Sequence, residues 1–164
     1  MSDAKKFRHS GEQDSPPYHY TECGLDDVYL LSGYEIEQTP HGEGVSIRNV
    51  DQLHMTIGCF LATKKKVLSG NELRFLRKEM DLTQAELGNL VGLSDQQVAR
   101  WEKDEYEIPG AADTLTRLYY LDHIKKVPAN MRELIETLKN MDEQRRAKLI
   151  FEDTKQGWKP QLAA

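Results

Sequence analysis

Between Leu82 and Glu105 the chain reads LTQAELGNLVGLSDQQVARWEKDE, and its punctuation leaves little conformational freedom. Thr83 with Glu86 three residues later has the spacing of a capping box, in which each side chain satisfies an N–H that a helix start leaves open. That box opens a helix carrying Leu87, Leu90 and Val91. Gly92 ends it, because the turn there needs a left-handed residue. Ser94 caps the next helix, from Asp95 to about Lys103. Two short helices joined by a three- to four-residue turn containing glycine describe a helix-turn-helix. Gly88 is small where the helices cross closely, and Leu87, Leu93, Val98 and Trp101 are the apolar contacts that fix the crossing. Gln96, Gln97 and Arg100 lie on the face that avoids those contacts.

The flanks fit the same reading. Ser69 with Glu72 repeats the box and starts a helix at Gly70, with Leu73, Leu76 and Met80 on one face. Pro109-Gly110 punctuates, and Ala111 to His123 forms a further helix carrying Leu115, Leu118 and Leu121. After Pro128, the positions Met131, Leu134, Ile135, Leu138 and Met141 keep helical spacing. Lys148-Leu149-Ile150-Phe151 either finishes a helix or forms a strand. Residues 1–17 are polar and without apolar period, a flexible tail. From Tyr18 the texture turns to short β-type segments, Tyr18–Thr21, Val28–Leu31 and Val45–Ile47, separated by Gly24, Ser32-Gly33 and Pro40-His41-Gly42. Asn49 or Asp51 caps a helix through Leu53, Met55, Ile57, Phe60 and Leu61. Such a module is too small to bury much surface alone, so it leans on the later helices or on a partner.

Charge narrows the function classes. The 164 residues carry a net charge of −5, with 30% charged and 38% hydrophobic side chains. That balance is globular, and no run approaches the roughly 20 apolar residues that span a bilayer. The first residues lack a secretory leader's apolar stretch, and two cysteines, Cys23 and Cys59, are too few for a disulfide framework. The expectation is a cytoplasmic protein with reduced thiols. Residues 18–63 set one arginine, Arg48, against seven carboxylates, so a nucleic-acid contact must come from a local patch. Between Lys64 and Lys78 stand Lys64, Lys65, Lys66, Arg74, Arg77 and Lys78 against Glu72 alone. This run is either a phosphate clamp or a solvated linker.

Other constellations weigh less. Trp101 falls on the apolar period and belongs to the core. Tyr18, Tyr20, Tyr29 and Tyr34 suit strand packing better than ligand stacking. His19, Cys23, His41, His54 and Cys59 fit no closed zinc spacing, so neither metal nor other cofactor is expected. No catalytic fingerprint occurs, and an enzyme is not expected.

Residues 69–123 resemble the lambdoid-repressor-like helix-turn-helix of the XRE/Cro family, a five-helix domain of DNA-binding repressors and antitoxins; TQAELGNLVGLSDQQVARWEKDE carries the likeness. Across roughly Tyr18 to Ile124 the chain also resembles MqsA/YgiT-type antitoxins, which join a small zinc-binding module to such a domain. That module has two CxxC pairs, whereas here stand Cys23-Gly24-Leu25 and a distant Cys59. The N-terminal module therefore looks like a degenerate, metal-free zinc-ribbon relative.

The resemblance implies that Asp95, Gln96, Gln97 and Arg100 contact bases in the major groove, and that Arg77 and Glu102 form a buried ion pair. It also implies phosphate contacts by Gln84 and Ser94, to which Lys64, Lys65, Lys66, Arg74 and Lys103 add charge. Gln pairs bidentately with adenine and Arg with guanine, each good pair worth about 1–3 kcal/mol of discrimination.

The expected fold is α+β: a β-rich module (18–66), an all-α five-helix helix-turn-helix domain (67–125) and a C-terminal helical extension and tail (126–164). The expected function is a sequence-specific, homodimeric repressor on double-stranded DNA, with the Leu115–Leu121 or Met131–Met141 stripe as dimer surface. The alternatives are an antitoxin that occludes a toxin and autoregulates its operon, and a ligand sensor with its pocket in the N-terminal module. No membrane contact is expected.

Overall fold

A computed structural model describes residues 16–125 and 148–161. The order is β1 (Tyr18–His19), β2 (Val28–Leu30), β3 (Tyr34–Thr39), β4 (Gly42–Ile47), α1 (Val50–Lys64), α2 (Gly70–Glu79), α3 (Gln84–Val91), α4 (Asp95–Glu102), α5 (Gly110–His123), β5 (Leu149–Thr154) and β6 (Gly157–Gln161). The architecture is α+β, with a β-rich region ahead of the helices. Among the described residues no helix is long and apolar enough to cross a membrane.

Two sheets form. β3 and β4 make a two-stranded hairpin, and β1-β2-β5-β6 make a four-stranded sheet in that order. Within the latter, β2 and β5 run parallel, with Val28 opposite Leu149 and Leu30 opposite Phe151. The C-terminal segment thus returns to the N-terminal module. Strand alternation explains it: Leu149, Phe151 and Asp153 are buried while their neighbours are half-buried, a period of two that no helix supports. Of the two alternatives for Lys148–Phe151 the strand holds, and residues 149–161 form a hairpin where the helical extension and tail are expected. Residues 126–147, with the Met131–Met141 stripe, lie outside the described residues, as do residues 1–15 of the expected tail.

Polar contacts lock the hairpin down. The Ser32 hydroxyl donates to the Asp153 carbonyl at 3.0 Å and accepts from the Asp153 N–H at 2.9 Å. The Trp158 indole donates to the Arg48 carbonyl at 3.0 Å, and its backbone N–H to Gln52 Oε1 at 2.9 Å. Val28, Leu30, Leu149, Phe151 and Trp158 share one core with Leu53, Ile57 and Leu61 of α1, and with Leu73, Leu76, Leu87, Val98, Trp101 and Leu121 of the later helices.

The junction between module and helices centres on α5. Arg117 is fully buried. Its Nε donates to Asp113 Oδ1 at 2.5 Å, and its Nη1 donates to the Leu61 carbonyl at 3.0 Å and to the Lys65 carbonyl. Asp113 Oδ2 accepts the Leu68 N–H at 2.9 Å. One ion pair thereby satisfies the backbone where α1 ends and the linker to α2 begins, which burial demands of polar groups. Nearby, Gly58 lets the Tyr120 ring sit directly on α1, since an added Cβ would lie 2.1 Å from the Tyr120 hydroxyl.

One expectation changes here. Residues 67–125 carry four helices rather than five; the fifth described helix, α1, precedes them and packs on α5. In the Leu115–Leu121 stripe, Leu121 is buried, while Leu115 and Leu118 are half-buried.

Candidate nucleic-acid interface

Three capping boxes start the helices that build the site. Ser69 with Glu72, Thr83 with Glu86 and Ser94 with Gln97 each exchange side-chain and backbone hydrogen bonds at the heads of α2, α3 and α4. At the end of α3, Gly92 adopts φ 75°, and the Leu93 N–H returns to the Gly88 carbonyl at 2.8 Å. This is the hydrogen-bonded left-handed stop that glycine permits. Gly88 is pressed against the start of α4: a Cβ there would meet the Leu93 carbonyl oxygen at 2.7 Å.

α4 therefore leaves the turn in a fixed direction. Val98 and Trp101 are buried beneath it. Asp95, Gln96, Gln97 and Arg100 are exposed on its other side. The far end is tied down through Glu102, whose side chain is wholly out of solvent. Arg77 donates to it through Nε at 2.5 Å and Nη2 at 3.0 Å, Arg74 through Nε at 3.2 Å, and Gln84 through Nε2 at 2.9 Å. Arg77 also donates from Nη1 to the Leu82 carbonyl at 2.7 Å. One carboxylate thus joins α2, α3 and α4. Burial pushes the Glu102 carboxyl up, but hydrogen bonds from Arg77 and Gln84, the Arg77 charge and the Arg74 bond outweigh it and hold the group below the usual carboxylate range.

Residues 73–111 match the helix-turn-helix family. This segment is a helix-turn-helix. The match covers roughly a quarter of the chain and supports a DNA-binding regulator of the XRE type. No curated protein and no solved structure shows a significant match to the chain.

The helix-turn-helix sorts the residues expected at the site. Gln96 and Arg100 stand open on the outer face of α4. Gln97 is exposed but folded back, its Oε1 accepting from the Ser94 N–H at 3.1 Å. Asp95 Oδ1 accepts the Gln96 N–H at 2.8 Å, a first-turn carboxylate that suits the positive end of the helix. Lys103 and Lys64 are exposed.

Other expected phosphate contacts are engaged inside the fold. Lys65 is buried, with Nζ 3.1 Å from Glu72. Lys66 is half-buried. Arg74 and Gln84 both donate to Glu102, although Arg74 keeps 40% of its side chain exposed.

Three features escaped sequence reasoning. Ser94-x-x-Gln97 had the same spacing as the other two boxes. Asp113 and Arg117 had the four-residue spacing of a helical pair. Tyr106 gave no signal: it is 61% exposed, and the Arg100 guanidinium lies 5.6 Å from its ring centroid.

Among the described residues no group of three or more His, Cys, Asp or Glu side chains is arranged to hold an ion. Cys23 and Cys59 are free thiols. Burial pushes the Cys23 thiol up to about 11, and it donates to the Tyr20 carbonyl at 3.2 Å. His54 bridges the Tyr20 hydroxyl, 2.8 Å from Nε2, and Glu79, 2.9 Å from Nδ1.

Proposed function

We propose that this chain is a sequence-specific transcriptional repressor that binds double-stranded DNA as a homodimer, with α4 in the major groove. The carrying observation is the two-sided character of α4, buried through Val98 and Trp101 and open through Gln96 and Arg100. Gln96 and Arg100 read base edges. Asp95 and Gln97 shape the first turn beside them, and Ser94 and Lys103 contact flanking phosphates. A palindromic operator with half-sites about one helical turn apart is the geometric consequence of the dimer. With Leu121 buried, exposed Leu90 of α3 and Tyr119 of α5 supply an apolar patch for dimerisation.

An NMR titration with a duplex at low salt tests this reading. Amide shifts concentrated on residues 94–103 support it. Shifts confined to the β3–β4 hairpin, or none, contradict it.

A second reading, an antitoxin that binds a toxin through the N-terminal module, has its own observation. The β3–β4 hairpin pairs with no other described strand and exposes Ile36 and Glu43 on one face, an apolar and acidic surface unsuited to DNA. Co-purification with the product of an adjacent small reading frame, lost on Ile36→Asp, would favour it.

A further inference from the structure

We infer that Tyr106 is a positioning residue for base recognition, holding the Arg100 guanidinium in a ready orientation; this rests on the proposed reading of α4. The chain leaves α4 through a hydrogen-bonded reversal, with the Asp104 N–H donating to the Trp101 carbonyl at 3.0 Å and the Glu105 N–H to the Arg100 carbonyl at 3.0 Å. Asp104 adopts φ 55°, and its Oδ1 accepts the Gly70 N–H at 2.7 Å, which pins this end of the loop to α2. Ile108, two residues beyond Tyr106, packs against the core and pins the other end. Tyr106 is thus an exposed aromatic held between two anchors, and its ring meets Arg100 at 5.6 Å.

The chemistry favours orientation over stability. A ring that is 61% exposed buries little apolar area, so folding alone gives no reason for an aromatic there. A guanidinium within about 6 Å of a ring face is attracted to it, while its N–H edge stays open for a planar acceptor pair such as guanine O6 and N7. The same loop carries Asp104, Glu105 and Glu107, any of which competes for a free arginine. The ring keeps Arg100 off those carboxylates. Ordering a long side chain before binding removes part of the entropy cost of the complex.

The test uses the full-length protein and the duplex it enriches from a randomised library. Affinity is measured for that duplex and for versions with each base pair changed, using wild type, Tyr106→Ala, Tyr106→Phe, Arg100→Ala and the double variant Tyr106→Ala/Arg100→Ala. Tyr106→Ala should lower discrimination about two- to fivefold at the base pair that Arg100 reads, the size an exposed cation–π contact supports. Tyr106→Phe should restore it, and Tyr106→Ala should add nothing once Arg100 is alanine. Equal weakening on every duplex would overturn the inference in favour of a phosphate contact by the hydroxyl, and so would additive losses in the double variant. If wild type enriches no sequence, the reading of α4 fails as well. Nitrogen-15 relaxation at Arg100 Nε separates the two failures: unchanged order in Tyr106→Ala overturns the positioning role whatever the DNA result.

Discussion

Glu102 receives both Nε and Nη2 of Arg77, at 2.5 and 3.0 Å, from a position wholly screened from solvent. The pair fixes where α4 stands relative to α2, Arg74 adds a second bond from α2, and the bond from Gln84 extends the hold to α3. Its contribution is geometric as much as energetic, because a buried pair recovers its desolvation cost only when its hydrogen bonds are complete.

Removing the carboxylate should therefore be costly. Glu102→Ala leaves the Arg77 cation without its partner and should lower stability by about 3–5 kcal/mol in urea unfolding. The group also makes stability depend on pH. Its carboxyl titrates lower in the folded chain than in the unfolded one, so its stabilisation is complete above the ordinary glutamate value of about 4.3 and is lost as pH falls through the folded value. Urea midpoints measured from pH 6 downward should drop less steeply for Glu102→Gln than for wild type in that acid window. Parallel curves would contradict the assignment.

Gly88→Ala should disturb the turn rather than the helix. Alanine is the better helix former, yet its Cβ would lie 2.7 Å from the Leu93 carbonyl oxygen, a backbone atom that cannot rotate away. A loss of about 1–3 kcal/mol is expected, together with weakened DNA binding. A stabilised Gly88→Ala protein would show that α3 and α4 are not so closely apposed.

Arg117→Met tests the junction between the N-terminal module and the helices. It leaves Asp113 buried without its cation and frees the Leu61 and Lys65 carbonyls, at a cost of about 3–5 kcal/mol. Amide exchange should accelerate first near residues 61–68. Uniform exchange along the chain would argue against a local junction.

The C-terminal hairpin is part of the fold. Trp158 is 4% exposed and its indole N–H donates to the Arg48 carbonyl, so Trp158→Ala should cost about 3–5 kcal/mol in thermal or urea unfolding. A cost below about 1 kcal/mol would mean that the hairpin is not packed on the module.

The legible part of this chain was local. Ser69 with Glu72, Thr83 with Glu86, and Gly92 announce helix ends within a few residues, because caps act across one turn. The apolar period through Leu73, Leu76, Leu87, Val98 and Trp101 identified buried faces. What escaped depends on partners far along the chain. Leu149 and Phe151 pair with Val28 and Leu30 across the whole helical region, and no local pattern encodes that register. Arg74 and Gln84 look like surface cations and amides until Glu102 arrives from α4. Lys65 sits in a charge run that suggests solvent, but its stem is buried and its ammonium meets Glu72. Tyr106 has meaning only because the chain reverses onto Arg100.

The most direct measurement is selection from a randomised duplex library by wild type and by Arg100→Ala, with affinities then compared on the enriched sequence and its single-base variants. A palindromic sequence is expected for wild type. Arg100→Ala should abolish preference at one symmetric base pair, by about tenfold or more, while preferences elsewhere survive. Enrichment of the same sequence with undiminished preference by Arg100→Ala, or no enrichment by wild type, would contradict α4 as the reading helix.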